Sequence, residues 1–201
     1  MGQQYVIYDA NNQREPYYEN GSYDCATVRW VADPRMTSRA EFGWFVHRFY
    51  QQGTGVEVGT QHGVFAKQIA EGWCGNIYCV DLWPDETIFE VAQVVLAGPK
   101  FRLFREDSVK AAEQFMDGGF DWVYIDADHH YENVKRDIEA WYPKVRAGGI
   151  VAGHDYVDYL DMGVIRAVNE FAAEHGYEVG LTTEDPPWQG VQFPTWWFQK
   201  L

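Results

Sequence analysis

The chain has 201 residues, 46% of them hydrophobic, and carries a net charge of -14. That length suits one domain, or one domain with a small cap, and the apolar share is enough for a proper core. The charge argues against general binding to nucleic acid or to anionic membranes, both of which want a basic surface. No run approaches the ~18 uncharged apolar residues of a membrane span. Met1 to Tyr23 has no basic segment leading into an apolar one, as a secretory signal would. Cys25, Cys74 and Cys79 lack metal-ligand spacing and read as reduced thiols of a cytoplasmic protein.

Residues 1–36 show no clean periodicity and scatter Asn, Gln, Pro and Gly, which predicts an irregular arm or lid ahead of a main domain over residues 37–201. Thr37 or Ser38 suits the cap of a helix running to about Gln52, with Phe42, Phe45, Val46 and Phe49 on one face. Gly53-Thr54-Gly55 ends it and opens a first strand. That strand breaks after Glu57-Val58 into a turn with glycines at 59 and 63, and Val64 to Ala70 continues at helical spacing.

Strand, glycine turn and helix start are how a doubly wound α/β sheet builds a nucleotide pocket at the carboxyl end of its first strand. Gly59 suits a turn that a β-carbon would obstruct, and Gly63 permits close approach of helix to strand or ligand. The turn lacks the middle glycine of a dinucleotide fingerprint and the Lys-Ser/Thr pair of a phosphate loop. It has instead Glu57, an acid suited to a cation or a hydroxyl. A phosphate-free cofactor carrying an ammonium, a carboxylate, a ribose and an adenine fits: S-adenosylmethionine.

A second strand, Asn76 to Asp81, ends in an acid about twenty residues past the turn, where a doubly wound fold grips ribose hydroxyls. Asp81 is therefore the expected ribose ligand, with Leu82 and Trp83 lining the pocket. Glu86 to Ala97 reads as a helix, Phe101 to Phe104 as a third strand, and Asp107 or Ser108 as the cap of a helix through Phe115. Either side chain is also placed to meet an adenine amino group.

Phe120 to Asp126 is a fourth strand, apolar enough to be covered on both faces. A long helix follows, stopped by Gly148-Gly149, and Ile150 to Gly153 is the fifth strand. Asp161 suits the cap of a helix carrying Val164, Val168 and Phe171. Tyr177 to Leu181 and Gln192 to Gln199 read as two last strands with no helix between them, hence an antiparallel ending. The predicted fold is a Rossmann-like seven-stranded sheet, mostly parallel with an antiparallel terminal strand and helices on both faces.

Neighbouring strands lie about 4.8 Å apart, so the ends of strands four and five bring Asp126, His129, His130, His154 and Asp155 to one spot. Three of the six histidines in one neighbourhood point to a base, His154 oriented by Asp126, or to a metal; helix capping by His129 or His130 is the bland reading. The aromatic residues outside the sheet, Trp188, Trp196 and Trp197 among them, either pack a cap and edge hairpin or wall an acceptor pocket.

Four segments together resemble a class I S-adenosylmethionine-dependent methyltransferase, in the small-molecule branch with macrocin-type and catechol/caffeoyl-CoA O-methyltransferases. They are Glu57 to Gly63, Val80-Asp81-Leu82-Trp83, Ile125 to Glu132, and Gly148 to Tyr156. The resemblance covers about residues 37–200. It implies cofactor contacts from Glu57, Gly59, Thr60, Gly63, Asp81, Leu82, Asp107, Ser108 and Asp126. It implies a small-molecule acceptor bearing a hydroxyl, and the convergent strand ends put the expected catalytic roles on His154, Asp126 and His130. In its metal-dependent members the matching positions, here Asp126, His154 and Asp155, hold a divalent cation. His154 departs from that pattern, since those members carry an acid there and hard Mg²⁺ prefers oxygen. The rivals are a non-catalytic cofactor-binding or scaffold protein and, disfavoured by the turn, an NAD-dependent oxidoreductase. Oligomeric state is left open.

Overall fold

The computed structural model describes residues 36–201, so the expected arm lies, all but Met36, outside the described residues. Ser38 accepts the Ala40 N–H and caps a 3-10 turn over Arg39–Glu41, which runs into α1 (Phe42–Phe49). There follow β1 (Thr54–Val58), α2 (Val64–Gly72), β2 (Asn76–Asp81), α3 (Glu86–Val95), β3 (Phe101–Arg105) and α4 (Ser108–Glu113). The second half comprises β4 (Phe120–Ile125), α5 (Tyr131–Trp141), β5 (Val145–Gly153), α6 (Val164–His175), β6 (Gly180–Leu181) and β7 (Trp196–Gln199).

The seven strands form one sheet in the order β3-β2-β1-β4-β5-β7-β6. β1 to β5 pair in parallel, and β7 runs antiparallel to both β5 and β6. Alternation along β4 shows why the sheet needs helices on both sides. Trp122 and Tyr124 join the core under α1, α2 and α3, while Val123 and Ile125 join the core under α4, α5 and α6. Phe42 of α1 packs edge-on to both Trp122 and Tyr124, with ring centroids 5.3 and 4.8 Å apart. On the opposite face Val134, Ile138 and Trp141 of α5, spaced three and four apart, are all buried.

The differences from the sequence reading have local causes. Gly148-Gly149 lies inside β5 rather than before it. Gly148 has φ +75°, and the β4–β5 register shifts between Phe120 and Trp122, so the glycines form a bulge. The last helix takes its cap at Gly163, not Asp161. The two final strands are shorter than expected, because the Pro-rich connection between them holds only the Trp188–Val191 bridge. Cys79 is a buried free thiol, and Cys25 lies outside the described residues.

The order 2-1-4-5 reverses direction between β1 and β4. Ligand crevices in open α/β sheets form outside the carboxyl ends of strands at this switch point. The turn after β1 and the ends of β2, β4 and β5 all converge there.

Candidate active site

The turn after β1 is shaped by backbone geometry. Gly59 has φ +91° and Gly63 φ +79°, a region where a side chain is strained, and the Gly59 N–H donates to Val80 O at 2.8 Å. Asp81 at the end of β2 accepts two backbone N–H groups, from Gln61 and from Trp83, each at 2.8 Å. One carboxylate thus ties the glycine turn to the end of β2 and still keeps lone pairs for a ligand.

These elements enclose a cavity of about 530 Å³, a size that suits a cofactor. Of the residues expected to contact a cofactor, Gly59, Asp81, Leu82, Asp107, Ser108 and Asp126 line it, and His129 and Asp137 join them. Three expected contacts, Glu57, Thr60 and Gly63, lie behind the turn instead of on the cavity wall. Glu57 and Thr60 are buried, and Gly63 is pressed against Leu96. Trp83 also lies beneath the wall: it is fully buried, packs on Phe89 and donates its indole N–H to Gln61 O at 2.6 Å. It braces the turn. Glu57 Oε2 has no hydrogen-bond partner, and burial pushes the carboxyl up to about 8. The group is therefore neutral at pH 7, which the sequence reading of an acid aimed at a cation did not foresee.

A second cavity of about 490 Å³ opens beside the first, lined by Arg39, His154, Asp155, Tyr159, Met162, Trp188 and Phe193 among others. Of the aromatic residues in question, Trp188 lines this cavity. Trp196 is instead buried in the sheet, and Trp197 packs on Phe45.

Between the cavities stands an ionic cluster. Asp126 faces the first cavity, and His154 and Asp155 face the second. His129 Nε2 lies 2.7 Å from Asp155 Oδ2 and 3.7 Å from Asp126 Oδ1. Those two carboxylates push the His129 imidazole up to about 10, so it is charged at neutral pH. Burial works against ionisation of Asp126 and Asp155, but His129 and His154 hold both below the usual carboxylate range, with Arg39 adding to the effect at Asp126. Asp155 has φ +57°, a strained conformation that turns its carboxylate back toward the histidines.

His154 Nδ1 lies 3.1 Å from Asp155 Oδ1 and 3.2 Å from Arg39 Nη1. With a proton on Nδ1 it donates to Asp155; without one it accepts from Arg39. Arg39, which the sequence reading did not single out, also places Nη2 2.5 Å from Asp126 Oδ2 and lies 3.9 Å over the Phe65 ring. His130 stands apart. It is exposed, its ring bonds Asp128 and Asp161, and it lines neither cavity. The adjacent His129 is the one that α5 turns inward.

Asp126, His154 and Asp155 each offer a ligand atom within 4.8 Å of the others, so the expected metal set does come together. The donor set is nonetheless taken: the Arg39 guanidinium sits on Asp126 and His154, and His129 on Asp155. As arranged, these residues do not fit a divalent ion.

A family model described as a methyltransferase domain matches residues 56–156, the span from β1 through the end of β5. The chain belongs to this methyltransferase-domain family. Among solved structures, the chain is similar to cofactor-bound Rv0187 from MTB (TM-score 0.64, 18% identity, covering 80% of this chain and 78% of that one). It is similar also to a protein from Corynebacterium glutamicum (TM-score 0.61, 14% identity, 81% and 79% covered). A third is the N-methyltransferase NodS from Bradyrhizobium japonicum in complex with S-adenosylhomocysteine (TM-score 0.55, 13% identity, 74% and 78% covered). These likenesses establish the class I S-adenosylmethionine-dependent methyltransferase fold. Among curated sequences, the uncharacterized protein y4gI of Sinorhizobium fredii is 26% identical over an alignment covering 66% of this chain. Protein R132 of Acanthamoeba polyphaga mimivirus, likewise uncharacterized, is 39% identical over 28% of it. The chain spans 17% and 26% of the lengths of these two relatives. No helix among the described residues is long and apolar enough to cross a membrane.

Proposed function

We propose that the chain, through residues 37–201, transfers a methyl group from S-adenosylmethionine to a hydroxyl of a small molecule. This places it in the branch with macrocin-type and catechol/caffeoyl-CoA O-methyltransferases. The observation that carries the reading is the wall shared by two cavities, with Asp126 on the cofactor side and His154 and Asp155 on the other. Bound in the first cavity, the cofactor supplies a methyl on a sulfonium whose S–C bond breaks as the acceptor O–C bond forms, the electron pair staying on sulfur.

The chain's own residues then have defined work. Asp81 receives the ribose hydroxyls, and Asp107 and Ser108 meet the adenine. The second cavity holds the acceptor between Trp188, Phe193 and Met162 so that its oxygen lines up with the methyl; alignment alone is worth several powers of ten. His154 takes the hydroxyl proton at Nε2, with Asp155 holding the Nδ1–H. His129 and Arg39 keep the two carboxylates ionised and in place.

The first cavity carries Asp81, Glu106, Asp107, Asp126, Asp128 and Asp137 in its wall, which favours a cationic, phosphate-free ligand. The net charge of -14 works against a polyanionic acceptor. Solved neighbours do include an rRNA methylase from Streptococcus thermophilus and a tRNA (m1A58) methyltransferase from Aquifex aeolicus, at 13% and 18% identity, a likeness of fold alone.

The test is S-adenosylhomocysteine formation from S-adenosylmethionine with a panel of phenols, sugars and aliphatic alcohols. Turnover on at least one acceptor is expected, falling about 10²- to 10⁴-fold in His154→Gln. Cofactor binding without turnover on any acceptor would favour the rival reading, a non-catalytic binding or scaffold protein.

A further inference from the structure

The ionic cluster is completed by a residue from outside the strand ends. Arg39 reaches it from the 3-10 turn before α1, with Nη2 2.5 Å from Asp126 Oδ2 and Nη1 3.2 Å from His154 Nδ1. The guanidinium thus rests on two of the three groups that a divalent cation at this point would bind. The third, Asp155, already meets His129 through Oδ2 and His154 through Oδ1.

Arg39 is held there from several sides. Its guanidinium carbon lies 3.9 Å from the centroid of Phe65 and 5.5 Å from that of Tyr124, both rings of the core beneath it. Its backbone N–H donates to Asp185 Oδ1 at 2.6 Å. Asp185 is itself buried and fixed by the Thr182 hydroxyl. The neighbouring backbone is clamped as well, since Thr37 O accepts the N–H groups of both Thr183 and Glu184. A planar guanidinium so pinned is a fixed charge rather than a wandering surface side chain.

We propose that Arg39 is the resident cation of this site, standing where metal-dependent relatives would hold a divalent ion and keeping Asp126 in position. A dication brought to the same carboxylate would meet an immovable like charge. A single hydroxyl is then sufficient for an acceptor, and a metal-chelating pair of hydroxyls is not required; this consequence rests on the methyl-transfer reading, whereas the cation assignment does not.

The experiment is a titration of the EDTA-treated, desalted full chain with MnCl₂, following free Mn²⁺ by electron paramagnetic resonance. Wild type is compared with Arg39→Met, Arg39→Lys and Arg39→Met/Asp126→Asn, each checked for native circular dichroism. Wild type is expected to leave the free Mn²⁺ signal intact into the millimolar range, as is Arg39→Lys, which retains a cation. Arg39→Met is expected to bind Mn²⁺ at least ~10-fold more tightly, a gain that Asp126→Asn removes. Micromolar Mn²⁺ binding by wild type would overturn the assignment, and that measurement does not depend on any variant folding. A folded Arg39→Met that gains no Mn²⁺ affinity would also overturn it, since Arg39 would then not be what keeps the ion out. Titration of the same wild-type sample with S-adenosylhomocysteine separates the two ideas: failure there sinks the methyltransferase reading and leaves the Mn²⁺ result standing.

Discussion

A β-carbon on Gly59 would lie 2.0 Å from the carbonyl oxygen of Asp126. The glycine turn after β1 and the end of β4 are packed backbone to backbone, so the floor of the first cavity and the Asp126 wall are one rigid unit. Replacing Gly59 with Ala adds this clash to the strain of φ +91°. The expected loss is at least ~2 kcal/mol of stability. A thermal melt and a cofactor titration on the same sample check this, with weaker binding expected even where the fold survives.

Stability should fall as pH rises through neutrality. Glu57 is pushed up to about 8 and Asp137 up to about 6, in both cases first by burial. A carboxyl whose folded pKa is raised contributes stability that is fully present below its unfolded pKa and lost as pH rises through the folded one. Wild type should therefore weaken progressively between about pH 5 and 9. Glu57→Gln, which is always neutral, should lose the Glu57 share of that slope up to about pH 8 and become the more stable protein above it. His129, held up to about 10, keeps its own decline above about pH 6.5 in both proteins. Urea denaturation at intervals across this range reads the effect directly; an unchanged slope in Glu57→Gln would count against a neutral Glu57.

Asp185 links the acceptor side to Arg39. It accepts the Arg39 N–H and the Thr182 hydroxyl, and its own carbonyl accepts from Gln192. Asp185→Ala leaves the part-buried Arg39 N–H without this acceptor and the buried Thr182 hydroxyl with only the bond it accepts from Thr195 N, for a loss of about 1–3 kcal/mol. Denaturant midpoints measure it, with an unchanged m-value expected.

Trp188 is 58% exposed and lines the second cavity beside Phe193. Trp188→Ala should alter stability by less than about 0.5 kcal/mol. With whichever acceptor turns over, KM should rise while cofactor affinity stays put. Steady-state kinetics in acceptor, at saturating S-adenosylmethionine, distinguish the two.

The strand ends were the legible part of this protein. Gly59, Asp81, Asp126 and His154 each follow a short apolar run, and a parallel sheet must bring such ends to one edge, so their convergence could be read from spacing. The doubly wound order and the antiparallel β7 were legible for the same reason. Arg39 was not, because it falls in the first turn of the expected helix, off the apolar face of Phe42, Phe45, Val46 and Phe49, and reaches Asp126 across 87 residues of sequence. His129 and His130 are adjacent, and only the turn entering α5 decides which faces inward. The neutral state of Glu57 is a property of complete burial, and the bulge at Gly148-Gly149 is a property of pairing with β4. Neither is visible in one strand alone.

The central claim is that the cavity at the carboxyl ends of β1, β2 and β4 holds S-adenosylmethionine. Calorimetric titration of wild type and Asp81→Ala with S-adenosylhomocysteine tests it most directly. One-to-one micromolar binding to wild type is expected, weakened about 10- to 100-fold in the variant, the loss of hydrogen bonds to a charged group. Absence of binding to well-folded wild type, or equal binding by both proteins, would contradict the account.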